Sequence, residues 1–141
     1  MKKFLTGILI LFVMFNLSAQ HAMTVTADDP VVKKFTQAYD LNDAQVQKMI
    51  TIQERRIRNL SEIESLKASD AKTYYQKRVA INKGTHTSLG MMMTPEQYTS
   101  FKSALLALRE QKAIKATELK EGGLTYDEIQ IELLEIDDSM F

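Results

Sequence analysis

Three segments of this 141-residue chain repeat one local design, and nothing else in the sequence restricts its fold as strongly. They are Leu41-Asn42-Asp43-Ala44-Gln45-Val46, Met93-Thr94-Pro95-Glu96-Gln97-Tyr98 and Leu124-Thr125-Tyr126-Asp127-Glu128-Ile129. Each reads apolar residue, capping residue, two variable positions, Gln or Glu, apolar residue. In such a capping box the Asn or Thr side chain accepts the backbone N–H three residues on. The Gln or Glu side chain reaches back to the N–H of the capping residue. The flanking apolar pairs, Leu41 with Val46 and Met93 with Tyr98, suit a hydrophobic staple. Pro95 falls at the first helical position, where its missing N–H costs nothing, and Glu96 sits where the helix dipole favours negative charge. The repeat therefore marks three helix starts.

The apolar spacing behind each start is helical. A first long helix is predicted from about Asp43 to about Lys67, with Val46, Met49, Ile50, Ile57 and Leu60 on one stripe. A second stretch from about Asp70 to Leu89 carries Tyr74, Ile81 and Leu89, with Gly90 as a candidate left-handed stop. The segment from Pro95 to Lys120 repeats Tyr98, Phe101, Leu105, Leu108, Ala116 and Leu119 at three- and four-residue steps, and Gly122-Gly123 ends it. Shorter helices are predicted over Pro30–Tyr39 and Tyr126–Ile136. No stretch alternates as a strand would, and two prolines and five glycines leave little material for the turns of a β-sandwich. The expected class is all-α: an elongated helical hairpin with short flanking helices. At ~1.5 Å per residue the long helices reach roughly 35–40 Å. Rods of that length in so short a chain leave apolar faces that a second copy could cover, so a cradle-like homodimer is expected.

The first twenty residues read as an address. Lys2 and Lys3 precede an apolar run from Phe4 to Leu17, interrupted by Thr6, Gly7 and Asn16, and small Ser18 and Ala19 lead into Gln20. That is the layout of a secretory signal peptide, cleaved near Ala19-Gln20, with Ala22 a further candidate. The run is short for a membrane-spanning helix. Expected organisation is thus a signal peptide over 1–20, a helical domain over 21–121 and an acidic helical tail over 122–141. The absence of cysteine excludes a disulfide framework, a thiolate metal site and a cysteine nucleophile.

Lys+Arg 18 balance Asp+Glu 18, but the balance is segregated. From Leu41 to Lys120 there are 14 Lys and Arg against 8 Asp and Glu, whereas the segment from Glu121 to Phe141 has seven acids and no base. Ile129, Ile131, Leu133, Leu134, Ile136, Met140 and Phe141 are laced through that acidic segment. It could lie on the basic body as an internal pseudo-client, pack on a partner subunit, or serve as a solubilising tail.

Chemistry-bearing constellations are sparse. Met91-Met92-Met93 with nearby His86 has the ligand types of a copper site. Consecutive methionines are more often soft packing at a helix junction, and no metal or other cofactor is expected. His86 lacks an obvious carboxylate partner, the serines are scattered and no Gly-rich phosphate loop exists, so an enzyme is not expected. The Arg55-Arg56-x-Arg58 cluster lacks the aromatic interleaving of a nucleic-acid surface, and no nucleic acid is expected as partner.

The pair Leu41-Asn42-x-x-Gln45 and Met93-Thr94-Pro95-Glu96-Gln97 resembles the twin Leu-Thr-x-x-Gln motifs of the Spy/CpxP family of periplasmic proteins, with Asn42 in place of Thr and Met93 in place of Leu. The likeness spans roughly Leu41 to Lys120. It implies a small, exported, all-α protein of the periplasm that acts as an ATP-independent chaperone or envelope-stress adaptor. Such a protein would hold unfolded or misfolded envelope proteins on a concave surface of mixed apolar and basic residues. The alternative is a metal-responsive or signalling accessory that modulates a membrane sensor.

On a helical wheel with Val46 at zero, the main stripe of the first long helix spans roughly −60° to +40°, and Ile52, Arg56 and Ile63 fall near 240–280°, with Leu66 and Arg55 close behind. A hairpin helix needs only one apolar stripe. Ile52, Arg55, Arg56, Ile63 and Leu66 are therefore candidates for the client-binding surface, or for a dimer interface with its arginines reaching to solvent.

Overall fold

The computed structural model describes residues 24–141, so the expected signal peptide over 1–20 lies outside the described residues. The described chain is all-α, with no strand among the described residues. Six helices follow in order: α1 (Pro30–Tyr39), α2 (Asp43–Ile63), α3 (Leu66–Ser69), α4 (Ala71–Met92), α5 (Pro95–Glu121) and α6 (Tyr126–Asp138). None of the described helices is long and apolar enough to cross a membrane.

All three capping boxes form, at Asn42–Gln45, Thr94–Gln97 and Thr125–Glu128. Two of the three starts are also preceded by the same corner. Asp40 (φ 51°) and Gly123 (φ 84°) adopt the left-handed conformation, and the next residue, Leu41 or Leu124, donates its N–H back to Thr36 O or Leu119 O. That six-to-one bond satisfies a carbonyl the ending helix leaves open. Asp tolerates this backbone better than most residues, and Gly takes it freely.

The predicted first helix ends earlier than Lys67. α2 stops at Ile63, and the one-turn α3 carries the chain round to Asp70, whose carboxylate caps α4 by accepting from Thr73 N at 3.0 Å. Serine hydroxyls compete locally: Ser61 donates to Arg58 O at 2.7 Å and Ser69 to Ser65 O at 3.0 Å. Such back-bonding loosens a helix where it must bend. Gly90 does not end its helix either. α4 continues through it to Met92, and a Cβ at position 90 would lie 2.8 Å from Tyr98 Cε2. Gly90 is small because the Tyr98 ring of α5 lies against the α4 backbone.

α2 and α4 form the central antiparallel hairpin, with α3 at its turn. α5 and α6 form a second hairpin, α6 also packs on α4, and α1 touches α2 and α5. The interior has two apolar clusters. Val32, Phe35, Met49, Ile52, Leu89 and Phe101 build the larger one, and Ile63, Tyr74 and Leu134 the smaller. Along α2, Gln53 and Arg56 are buried between Ile52 and Ile63; along α4, Asn82 and Thr85 are buried between Tyr74 and Leu89. A polar layer therefore separates the clusters.

Candidate functional site

Gln45 and Gln97 do more than complete their own capping boxes. Gln45 Nε2 donates to Met92 O at 3.0 Å and to Gln97 Oε1 at 2.6 Å. Gln97 Nε2 donates to Gln45 Oε1 at 3.2 Å, Tyr39 O at 3.0 Å and Asp40 O at 3.2 Å. The two amides thus face each other and tie together the ends of α1 and α4 and the starts of α2 and α5. Only an amide can do this, because it offers donors and acceptors at once. Glu128, in the third box, accepts from Thr125 N at 2.8 Å and makes no such cross-link, since a carboxylate only accepts. The motif residues Leu41, Asn42, Gln45, Met93, Thr94 and Gln97 accordingly sit at one structural junction.

The acidic segment packs on the body of its own chain. Asp138 pairs with Arg56 of α2 (3.2 Å) and with Arg78 of α4, and Lys112 of α5 donates to Asp137 at 2.7 Å. Phe141 lies over the Arg56 guanidinium (3.9 Å from ring centre), stacks on His86 at 5.5 Å and on Phe35 at 6.0 Å. Burial pushes Arg56 below its ordinary value, with Asp138 opposing and Arg78 reinforcing that push. Burial also works against the charge of Arg78, but its bonds to Tyr74 and Asp138 outweigh it and raise the group. His86 is pushed down, first by burial; Asp137 opposes, and Arg56, Lys112 and Arg109 add to the depression.

Between α4 and α5 the molecule opens into a groove of about 670 Å³. Val79, Lys83, Thr87 and Met91 line it from α4 at four-residue steps; Tyr98, Leu105, Leu108, Arg109 and Lys112 line it from α5. His86 and Phe101 face it where their rings meet edge to face at 6.2 Å. The outer part of its apolar lining stays in contact with solvent: Met91 is 83% exposed, Tyr98 46% and Val79 41%, whereas Phe101 and Leu108 are buried at its floor. Among the described residues the groove is therefore mixed apolar and basic, and its one carboxylate, Asp137, is already paired.

The five surface candidates on α2 and α3 do not form a surface. Ile52, Arg56 and Ile63 are buried, at 7, 8 and 6% exposure, and Leu66 packs against the smaller cluster. Arg55 alone is exposed and donates to Ser88 Oγ at 2.6 Å. The correction has a geometric reason. α2 packs on α4, and its buried face runs from Met49 of the expected stripe through Ile52, Arg56 and Ile63, so the face read as secondary is interior, while Val46, Ile50, Ile57 and Leu60 lie at its margin, partly buried. The groove residues were legible in part: Tyr98, Phe101, Leu105 and Leu108 are the apolar stripe of α5, read as packing. The signal overlooked was the i, i+4 series Val79, Lys83, Thr87, Met91. The three consecutive methionines diverge, with Met91 exposed and Met92 buried, and no cluster of three or more His, Asp or Glu among the described residues is placed to hold a metal. Compared with protein-family models, curated proteins and solved structures, the chain matches none of them.

Proposed function

We propose that this chain is an exported, non-enzymatic binding protein that holds unfolded or misfolded polypeptide segments without nucleotide, as an envelope chaperone or stress adaptor of the periplasm. The observation that carries this reading is the α4–α5 groove, where exposed Val79, Met91 and Tyr98 stand beside Lys83 and Arg109. Exposed apolar area rimmed by charge is the physical mark of an interaction surface. Flexible Met and Lys side chains suit partners without one fixed shape. Client binding is assigned to this groove in place of the buried face of α2. Leu106 and Ile114, both more than half exposed on α5, support pairing with a second copy, which sedimentation at two concentrations tests. Export rests on the N-terminal sequence and is checked by cell fractionation and N-terminal sequencing of the mature chain.

The decisive experiment is aggregation of an unfolded reporter protein with and without near-equimolar chain, no nucleotide present. The wild type is expected to suppress light scattering. A Val79→Glu/Met91→Glu variant, altered at two exposed positions, is expected to lose most of that effect while keeping its helical content. No suppression by the wild type overturns the reading; unchanged suppression by the variant removes it from the groove.

A further inference from the structure

The polar layer between the apolar clusters holds a seat whose occupant belongs to the chain itself. Asp138 fills it with a carboxylate shared by Arg56 and Arg78. Phe141 fills it with a ring against Arg56, His86 and Phe35. The main chain between them is gripped as well, since Lys34 Nζ donates to Ser139 O at 2.7 Å. A carboxylate, a backbone carbonyl and an aromatic ring three residues beyond the acid are thus read together, a pattern that only a polypeptide presents.

Gln53 Oε1, Arg56 Nε, Arg78 Nε, both polar atoms of Asn82 and His86 Nε2 are buried without a hydrogen-bond partner. Asn82 is 3% exposed and offers an unmet donor and an unmet acceptor, the two groups each peptide unit supplies. Asn82 and His86 also line the groove, so the seat and the groove share a wall whose polar atoms make no bond within the chain. The upper part of α6 is independently anchored by buried Ile129, Leu133 and Leu134, so residues 138–141 can leave the seat by local opening alone.

We propose that this seat is a second binding site, adjoining the inner wall of the groove at Asn82 and His86, for segments of other polypeptides that carry an acidic residue followed three positions later by an aromatic one. Residues 138–141 are its resident competitor. A tethered competitor acts at an effective concentration on the order of millimolar, which holds the site shut against weak ligands.

The test uses the full chain and a fluorescein-labelled peptide carrying residues 135–141. Asp138→Asn/Phe141→Ala in the chain weakens the resident and leaves every receiving residue intact. This variant is expected to bind the peptide about tenfold more tightly than the wild type. Asp138→Asn alone, at a partly exposed carboxylate, is expected to give a smaller gain and covers the event that the double variant folds poorly. Placing the same two substitutions in the peptide, or Arg78→Gln in the double-variant chain, is expected to abolish the gain. Equal binding by wild type and both variants overturns the proposal, as does binding indifferent to the peptide's acid and ring. Exchange of α6 between copies would appear as a concentration-dependent dimer that the double variant loses, with no peptide binding, and would overturn it too.

Discussion

The molecule contains two polar interiors, built by opposite rules. At the junction of the twin motifs, Gln45 and Gln97 spend both amide hydrogens and both oxygens on each other and on four chain segments. In the layer under α6, Arg56 and Arg78 share Asp138 and His86 stacks on Phe141, while six buried polar atoms of Gln53, Arg56, Arg78, Asn82 and His86 make no hydrogen bond within the chain. A saturated network rigidifies, whereas a partly satisfied one stores unfavourable free energy. The contrast separates what holds this fold from what the fold has left open. The first cluster is a fastening, and the second is a seat.

The largest expected effect breaks the fastening. Gln45→Ala removes the donor to Met92 O and the partner of Gln97 from a position 6% exposed. Each buried group so stranded costs about 1–3 kcal/mol, and the loss expected in urea unfolding is about 2–3 kcal/mol. The Gln45→Ala/Gln97→Ala pair is expected to cost less than the sum of its parts, with a coupling on the order of 1 kcal/mol. Strict additivity would show that the two amides do not act as one unit.

The opposite sign is expected in the seat. Asn82→Leu replaces a buried amide that makes no bond within the chain with a side chain of similar volume. Removing an unmet polar group while filling its space is expected to stabilise the chain by about 1 kcal/mol and to weaken peptide binding in the same variant. A destabilised Asn82→Leu chain would mean that the amide is already satisfied, and the contrast between the two interiors would fail.

How far the sequence reached follows the same division. The helix starts were legible because a capping box is closed within four residues, and all three formed. The pairing of Gln45 with Gln97 was not, because it joins positions on different helices through a contact that no local pattern encodes. Arg56 misled for a related reason. Charged residues are almost never interior unless paired, and its partners Asp138 and Phe141 come from the far end of the chain. The wheel of α2 placed Met49 correctly in the core but centred the buried face too far round, since apolar content alone cannot weigh an arginine that is buried. The segregated charge was the better guide, because one of the three readings it left open was an acidic segment lying on the basic body of its own chain.

Acidification distinguishes the interiors by a smaller amount, since the glutamine junction does not titrate. His86 in the seat is depressed by burial, against Asp137 and with Arg56, Lys112 and Arg109. The unfolded chain therefore takes up this proton first, beginning near the ordinary histidine value of about 6.5. Stability is expected to fall as pH drops below that value and until the folded form also binds the proton. The limiting slope is about 1.4 kcal/mol per pH unit, and solvent around the partly exposed ring reduces it to a fraction of that. Melting between pH 7.5 and 5.0 checks this, and His86→Phe, which keeps the stacking on Phe141, is expected to flatten the profile. An unchanged profile would place the titrating group elsewhere.

The smallest stability effect is expected at Gly90, where the fastened end of the molecule meets the groove. A Cβ there would stand 2.8 Å from Tyr98 Cε2, so the ring must move. Tyr98 is 46% exposed and can swing into solvent, and alanine in a helix interior gains up to about 1 kcal/mol over glycine. The two effects nearly cancel, and Gly90→Ala is expected to lie within about 0.5 kcal/mol of the wild type. Binding behaves differently, because Tyr98 lines the groove and its displacement alters the mouth. Gly90→Ala is therefore expected to change suppression of reporter aggregation while leaving both the melting temperature and the tail-peptide affinity of the seat as they were. If stability falls by much more than this, the junction holds Tyr98 rigidly and the fastening extends into the groove wall. If suppression is untouched, the mouth of the groove at Tyr98 takes no part in binding.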